Sequence, residues 1–197
     1  MLIYACSSNA GKLREFSLAG RESARTDLVI APLPGLEAIV PPEEIGTTFE
    51  ENVALKAEYY SQFTRELVLA DDSGLAVDAL DGAPGIHSAR FAGADASSQA
   101  NNELLLDKLR GVSGRSARFV CVAALARNGK VLHTARGTVA GTILESPRGE
   151  NGFGYDPLFY YEPFERSFAE ISDVEKLSVS ARGRALRMLF GSLLNPK

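Results

Sequence analysis

Short apolar runs alternate with helical periodicities along the first half of the chain, and glycine, proline and polar clusters separate them. Leu2 to Cys6 reads as a strand and Ser7 to Gly11 as a loop. A helix starts at Lys12-Leu13-Arg14-Glu15-Phe16 and ends near Gly20. Leu28 to Leu33 gives a second strand, and Pro32, Pro34, Gly35, Pro41 and Pro42 mark an irregular segment after it. Thr48-Phe49-Glu50-Glu51 has the form of a capping box, with Thr48 as N-cap and Glu51 at N3. The helix it opens is predicted to reach about Phe63, with Asn52 and Lys56 on one face at i, i+4. Leu67 to Ala70 is a buried strand that stops at Asp71, Asp72, Ser73 and Gly74, and Leu75 to Leu80 follows. Beyond the Gly/Pro-rich loop from Asp81 to Ile86, a helix is expected from about Ser97 to Arg110. Ala117 to Ala126 and Lys130 to Ala140, joined at Asn128-Gly129, form the clearest hairpin. A glycine-rich loop, Gly149 to Asp156, runs into a strand at Pro157 to Tyr160, and Ser180 to Leu194 is helical. Early strand–helix alternation followed by a hairpin predicts an α/β fold with a mixed, partly antiparallel sheet.

At 197 residues the chain fits a single domain, 1–197, with a sizeable core. Its 45% hydrophobic and 23% charged residues are ordinary for a globular protein. The net charge of −4 argues against a nucleic-acid partner, but a divalent metal and a few lysines can still neutralise a phosphorylated small molecule locally. Cys6 and Cys121 lie in apolar, strand-like runs and read as buried small hydrophobes rather than as a disulfide or metal ligands. No signal-peptide pattern opens the chain and no apolar run approaches membrane-spanning length, so a cytoplasmic protein without a membrane partner is expected.

Five segments offer chemistry. The strongest is the strand end at Asp71-Asp72-Ser73, because carboxylates are seldom placed beside a core strand without a partner. Such a group can hold Mg²⁺, orient a water or do both; a turn or helix cap is the competing reading. Ser7-Ser8-Asn9-Ala10-Gly11-Lys12, between a strand and a helix, joins helix N-terminal amides to a lysine and suits phosphate, although the Walker pattern is absent. A plain turn with a solvated lysine is the alternative there. Glu43 and Glu44 matter only if the fold brings them near Asp72, where a second hard oxygen ligand would complete a Mg²⁺ site. In Gly152-Phe153-Gly154-Tyr155-Asp156-Pro157 the glycines allow close approach, the aromatics can stack on a planar ring and Asp156 can accept hydrogen bonds from it. A tight loop around a packed aromatic explains the same residues. Lys176 and Arg182, at the start of the last helix, suit phosphate or a base carbonyl, or simply an amphipathic helix. His87 and His133 have no metal-ligand spacing.

Taken in this order, the segments resemble the inosine/xanthosine triphosphate pyrophosphatase family over nearly the whole chain. The most specific match is the block from Ala70 to Phe91. Supporting it are Asn9-x-Gly11-Lys12, Glu43 to Asn52, Phe153 to Pro157, and Lys176 followed by Ser180-x-Arg182-Gly183. The resemblance implies a long mixed sheet flanked by helices, two lobes around a central cleft, and a homodimer. It implies Mg²⁺-dependent hydrolysis of ITP, dITP and XTP to the monophosphate and pyrophosphate. By the same resemblance Asp72 is the proton acceptor and a metal ligand, and Glu43 is the second metal carboxylate, with Glu44 its substitute if the register slips by one. Ser7, Ser8, Asn9, Ala10, Gly11 and Lys12 correspond to the triphosphate loop and Ser73 to a substrate contact. Phe153, Gly154, Tyr155, Asp156, Lys176, Ala181 and Arg182 fall on the base-facing set. The chain departs from the family twice: Ser7-Ser8-Asn9 stands for Thr-Gly-Asn, and Ser180-Ala181-Arg182 stands for Ser-His-Arg. Serine adopts positive φ less readily than glycine, and alanine cannot hydrogen-bond to a purine. A pyrophosphatase with relaxed base choice and a nucleotide-binding sensor without turnover are the alternatives.

Overall fold

The computed structural model describes residues 1–23, 25 and 27–194. Seven strands make one mixed sheet in the order β2-β1-β3-β4-β5-β6-β7. They are β1 (Leu2–Ala5), β2 (Val29–Pro32), β3 (Leu67–Val77), β4 (Ser116–Arg127), β5 (Lys130–Ile143), β6 (Phe159–Tyr161) and β7 (Arg166–Ser167). The helices are α1 (Ala10–Glu22), α2 (Phe49–Tyr60), α3 (Ser98–Lys108), α4 (Asp173–Val179) and α5 (Ala181–Ser192). β1 pairs in parallel with β2 and β3, while β6 pairs antiparallel with β5 and β7, so the expected α/β class and mixed sheet are present. The Asn128-Gly129 turn joins β4 to β5 with φ of 53° and 73°, the positive pair that a two-residue primed turn requires.

Two compact units divide the chain. The first comprises residues 1–72, 121–137 and 181–197, and the second comprises residues 73–120 and 138–180. In the first, α1 buries Gly11, Glu15, Phe16, Ala19 and Gly20, a one-sided stripe that packs on β2 and α5. Leu33, Tyr60 and Val68 pack together there, with Tyr4, Leu36 and Tyr59 at their edge. In the second, Phe119, Phe159 and Phe168 form an aromatic cluster with ring centroids 4.6–6.0 Å apart.

Several boundaries differ from the sequence pattern. β3 does not stop at the carboxylates: it runs from Leu67 through Asp71, Asp72, Ser73 and Gly74 to Val77, absorbing the strand expected from Leu75. The chain turns only at Asp78–Leu80, a short 3₁₀ segment followed by Asp81 and Gly82 at positive φ. Helix α2 ends at Tyr60 rather than Phe63, because the Gln62 and Phe63 N–H groups bond to carbonyls three residues back, Tyr59 and Tyr60, and close the end as a turn. The capping box at its start forms by half. Thr48 accepts the Glu51 N–H, but the Glu51 carboxylate reaches past it to the N–H and hydroxyl of Thr47. Helix α4, opened by a full capping box of Ser172 and Glu175, is an element the periodicity did not reveal.

Candidate active site

Asp71 and Asp72 are consecutive on a strand, so their side chains leave on opposite faces. That parity gives two adjacent carboxylates different partners. Asp71 is buried and saturated. Its Oδ1 accepts from Lys12 Nζ at 2.9 Å, and its Oδ2 accepts from Arg182 Nε and Nη2 at 3.2 and 3.0 Å and from the Cys121 thiol at 3.8 Å. Arg182 also donates through Nη1 to Glu15, buried on α1. Burial alone would push the Asp71 carboxyl up, but the charges and hydrogen bonds of Lys12 and Arg182 outweigh it and hold the group well below the usual carboxylate range.

Asp72 is also buried, yet it is only half satisfied. Its Oδ1 accepts from Lys56 Nζ at 2.9 Å, whereas Oδ2 has no hydrogen-bond partner among the described residues. Burial raises its pKa, and the Lys56 ammonium offsets only part of that rise. Lys56 Nζ lies 2.6 Å from Glu44 Oε1 as well, so one ammonium spans both carboxylates. Burial opposes the charge on Lys56, but Asp72 and Glu44 together raise its pKa. The loop carrying Glu44 is gripped from α2: Asn52 Oδ1 accepts the Gly46 N–H at 2.9 Å, one turn before Lys56. A Cβ at Gly46 would come within 2.6 Å of that same oxygen, so the grip needs glycine. Glu43 is exposed and Glu44 half-buried.

The Ser7–Lys12 loop leads directly into α1. Asn9 caps the helix, its Oδ1 accepting the Lys12 N–H at 3.1 Å, and Ser7 Oγ accepts the Asn9 N–H. The first intrahelical bond runs from Leu13 N–H to Asn9 C=O, which places the Ala10 and Gly11 amides in the open first turn. Ser8 is not in the left-handed region, so serine sits there without the strain expected of it. Ser73, next after Asp72, is half-buried.

The second unit holds a separate group. Asp156, buried, accepts the Phe153 N–H at 2.7 Å and Lys176 Nζ at 2.5 Å on one oxygen, Oδ2. Lys176, also buried, lies 4.4 Å from the centre of the Phe153 ring. Gly152 and Gly154 have φ of 73° and 62°, and a Cβ at Gly152 would come within 2.2 Å of Asp156 Oδ2. The Tyr155 hydroxyl donates to the Ser88 carbonyl at 2.9 Å, and Asn102 Nδ2 donates to the Gly154 carbonyl. Phe153, Asp156 and Lys176 are thus in mutual contact, while the Tyr155 hydroxyl is committed to Ser88. Arg182, grouped with them in the sequence reading, commits its guanidinium to Asp71 and Glu15. Ala181 is buried as the first residue of α5.

Sequence reasoning did not single out Glu15 or Lys56 as site residues. Each lies one helical turn beyond a residue it did notice: Glu15 is three residues after Lys12, and Lys56 four after Asn52. In the first unit, four carboxylates (Glu15, Glu44, Asp71, Asp72) face three cations (Lys12, Lys56, Arg182). Among the described residues, Asp72 Oδ2 accepts no hydrogen bond. No group of three or more His, Cys, Asp and Glu side chains converges as a metal cage among the described residues. Two carboxylates without a cage fit a magnesium-type ion, which draws its other ligands from water and phosphate.

A model of the Ham1 family matches residues 3–191. The chain is 51% identical to a dITP/XTP pyrophosphatase of Acidobacterium capsulatum over 98% of each chain. It is 47% identical to a dITP/XTP pyrophosphatase of Bacillus anthracis, over 95% of this chain and 93% of the relative. Among solved structures, the Staphylococcus aureus Ham1 protein superimposes with a TM-score of 0.85 at 39% identity, covering 100% of both chains. A nucleoside-triphosphatase/dITP/XTP pyrophosphatase of Mycobacterium abscessus gives 0.70 at 38% identity, over 98% of this chain and 100% of that one.

Proposed function

The chain belongs to the Ham1 family, and we propose that it hydrolyses non-standard purine nucleoside triphosphates, ITP, dITP and XTP, to the monophosphate and pyrophosphate. The role that follows is removal of deaminated purines from the nucleotide pool. The observation that carries the reading is Asp72, a buried carboxylate with one oxygen fixed by Lys56 and the other without a hydrogen-bond partner among the described residues. Placing such a group in the middle of a core strand is costly unless a bound species completes it.

Cleavage of a phosphoanhydride calls for positioning and charge neutralisation more than for covalent chemistry. Lys12 and the first-turn amides of α1 hold phosphate oxygens, with the Ser7 and Ser8 hydroxyls and Asn9 shaping the loop and Ser73 adding a contact. Asp72, whose Oδ2 Lys56 leaves open, is the residue assigned to metal binding or water activation. It takes the proton of a water whose oxygen bonds to the α-phosphorus, and pyrophosphate leaves as the bridging P–O bond breaks. Asp71 takes no part in proton transfer, because all of its acceptor capacity faces Lys12, Arg182 and Cys121. A divalent cation held at Asp72, read as Mg²⁺, would supply Lewis-acid polarisation and charge neutralisation at the phosphates. Asp72 and a carboxylate of the 43–44 loop would hold it, and the contact with Lys56 favours Glu44 over the exposed Glu43. Phe153, Gly154, Tyr155, Asp156 and Lys176 are assigned to the purine, with stacking on Phe153 and hydrogen bonding at the Asp156–Lys176 pair. Ala181 and Arg182 support the start of α5. The working form is read as a homodimer in a reducing cytoplasm, a setting that suits Cys6 and Cys121 as free thiols.

Hydrolysis of ITP in heavy-oxygen water tests the chemistry. The label is expected in the monophosphate, as attack on the α-phosphorus requires. Label in the pyrophosphate, or release of orthophosphate, would reject the assignment.

A further inference from the structure

The proposed mechanism gives Lys56 no step, yet its ammonium is held by two carboxylates at once. Its ammonium lies 2.6 Å from Glu44 and 2.9 Å from Asp72, the two carboxylates read as metal ligands, and its side chain is only 16% exposed. The approach is fixed from the same helix, since Asn52 holds the Glu44 loop through Gly46. Asp72 Oδ2 remains without a partner, so the ammonium does not satisfy the pair completely. A divalent ion on these carboxylates would lie within a few ångströms of a fixed positive charge. At that range in a partly buried site the repulsion is large. A polyphosphate reverses the balance, because it offers Lys56 several anionic oxygens and gives the metal its missing ligands.

We propose that Lys56 is a resident counter-cation of the Glu44–Asp72 pair, which makes divalent-metal and polyphosphate binding mutually dependent. In the free protein it offsets one of the two carboxylate charges and disfavours a metal ion. When a triphosphate arrives, the ammonium turns to the phosphates and the carboxylates take the metal. The inference rests on the reading of Asp72 and Glu44 as metal ligands. It adds to that reading an ordered loading, in which metal without nucleotide is held weakly. By linkage, the metal must tighten the nucleotide by the factor with which the nucleotide tightens the metal.

The test is Mn²⁺ binding to the full chain without nucleotide, followed by the paramagnetic signal of the free ion, for the wild type, Lys56→Met, Lys56→Arg and Asp72→Asn. Thermal melts confirm that each variant is folded, and Lys56→Gln replaces Lys56→Met if the latter is not. Removing the ammonium is expected to tighten Mn²⁺ by about tenfold or more, since a unit charge a few ångströms away is lost. Lys56→Arg keeps the charge and should bind as weakly as the wild type. Calorimetry with a dITP analogue bearing an imido bridge between the α- and β-phosphorus, in saturating Mn²⁺ or in EDTA, reads the coupling. The wild-type ratio of the two affinities should shrink in Lys56→Met. If Lys56→Met binds Mn²⁺ as the wild type does, while Asp72→Asn abolishes binding, the counter-cation role is overturned and the metal assignment stands. If Asp72→Asn leaves Mn²⁺ binding unchanged with and without the analogue, the metal assignment itself is overturned, and this inference with it.

Discussion

Replacing each of the adjacent aspartates with asparagine should separate folding from chemistry at neighbouring positions. Asp71 accepts three charge-assisted bonds, at 2.9, 3.0 and 3.2 Å from Lys12 and Arg182, and its side chain is 2% exposed. Asp71→Asn takes from the buried Arg182 guanidinium the carboxylate that accepts two of its bonds, a change that typically costs about 3–5 kcal/mol. For a chain of this length that is a fall in Tm of about 6–20 °C. Asp72→Asn removes one contact to Lys56, which keeps Glu44, and it relieves a carboxylate whose charge burial disfavours. Its stability should stay within about 1 kcal/mol of wild type. The pH dependence gives a second check. Because the folded-state pKa of Asp71 is depressed, its contribution is complete above the unfolded value of about 3.9 and is lost as pH falls toward the folded one. The gap between wild type and Asp71→Asn should therefore be widest at neutral pH and narrow on acidification below about pH 4. Urea and thermal unfolding at pH 7 and in the acid range measure it. Equal destabilisation by the two substitutions, or a gap that ignores pH, would refute the division of labour.

Other consequences can be checked singly. Asp72→Asn should lower the rate of pyrophosphate release by about 10²–10⁴-fold, read in a coupled pyrophosphate assay, with the fold intact by circular dichroism. Phe153→Ala removes the stacking face and should raise KM for ITP about two- to tenfold while kcat changes less, since a ring contact is worth about 0.5–1.5 kcal/mol. Gly74→Ala places a Cβ 2.2 Å from the Gly85 carbonyl and 2.5 Å from Ser88 Oγ, so unfolding should show a loss of about 1–3 kcal/mol. Lys176→Met leaves the buried Asp156 carboxylate without its 2.5 Å ammonium partner; a loss of about 3–5 kcal/mol in urea unfolding is expected, and Asp156→Asn in the same chain should recover part of it.

Much of this architecture is legible along the chain because it is local. The Asn128-Gly129 hairpin, the Thr48 and Asn9 caps and the glycine-rich 149–156 loop each follow from a few neighbouring residues. The α/β class follows from their succession. The Asp71-Asp72 pair stands out for the same reason, as charge beside an apolar run. Its consequence was less visible. Charged residues inside a core strand run against the usual pattern, so the strand seemed to end where it continues to Val77. The partners of Asp71 are remote in sequence: Lys12 lies 59 positions away and Arg182 111. Periodicity can put Glu15 and Lys56 on a helix face but cannot say that the face meets a buried charge. The same limit applies between Glu43 and Glu44, where one residue of register decides which carboxylate turns inward. The loop's path is fixed by the hydrogen bond from Gly46 to Asn52, a contact that composition and spacing do not announce.

The central claim is chemical, and a nucleotide panel tests it most directly. ITP, XTP, dITP, GTP and ATP would each be incubated with the protein and Mg²⁺, with monophosphate, diphosphate, pyrophosphate and orthophosphate separated by ion exchange. The account predicts monophosphate and pyrophosphate in equal amounts, formed fastest from ITP, dITP or XTP. Diphosphate with orthophosphate, or GTP and ATP consumed as fast as ITP, would contradict it.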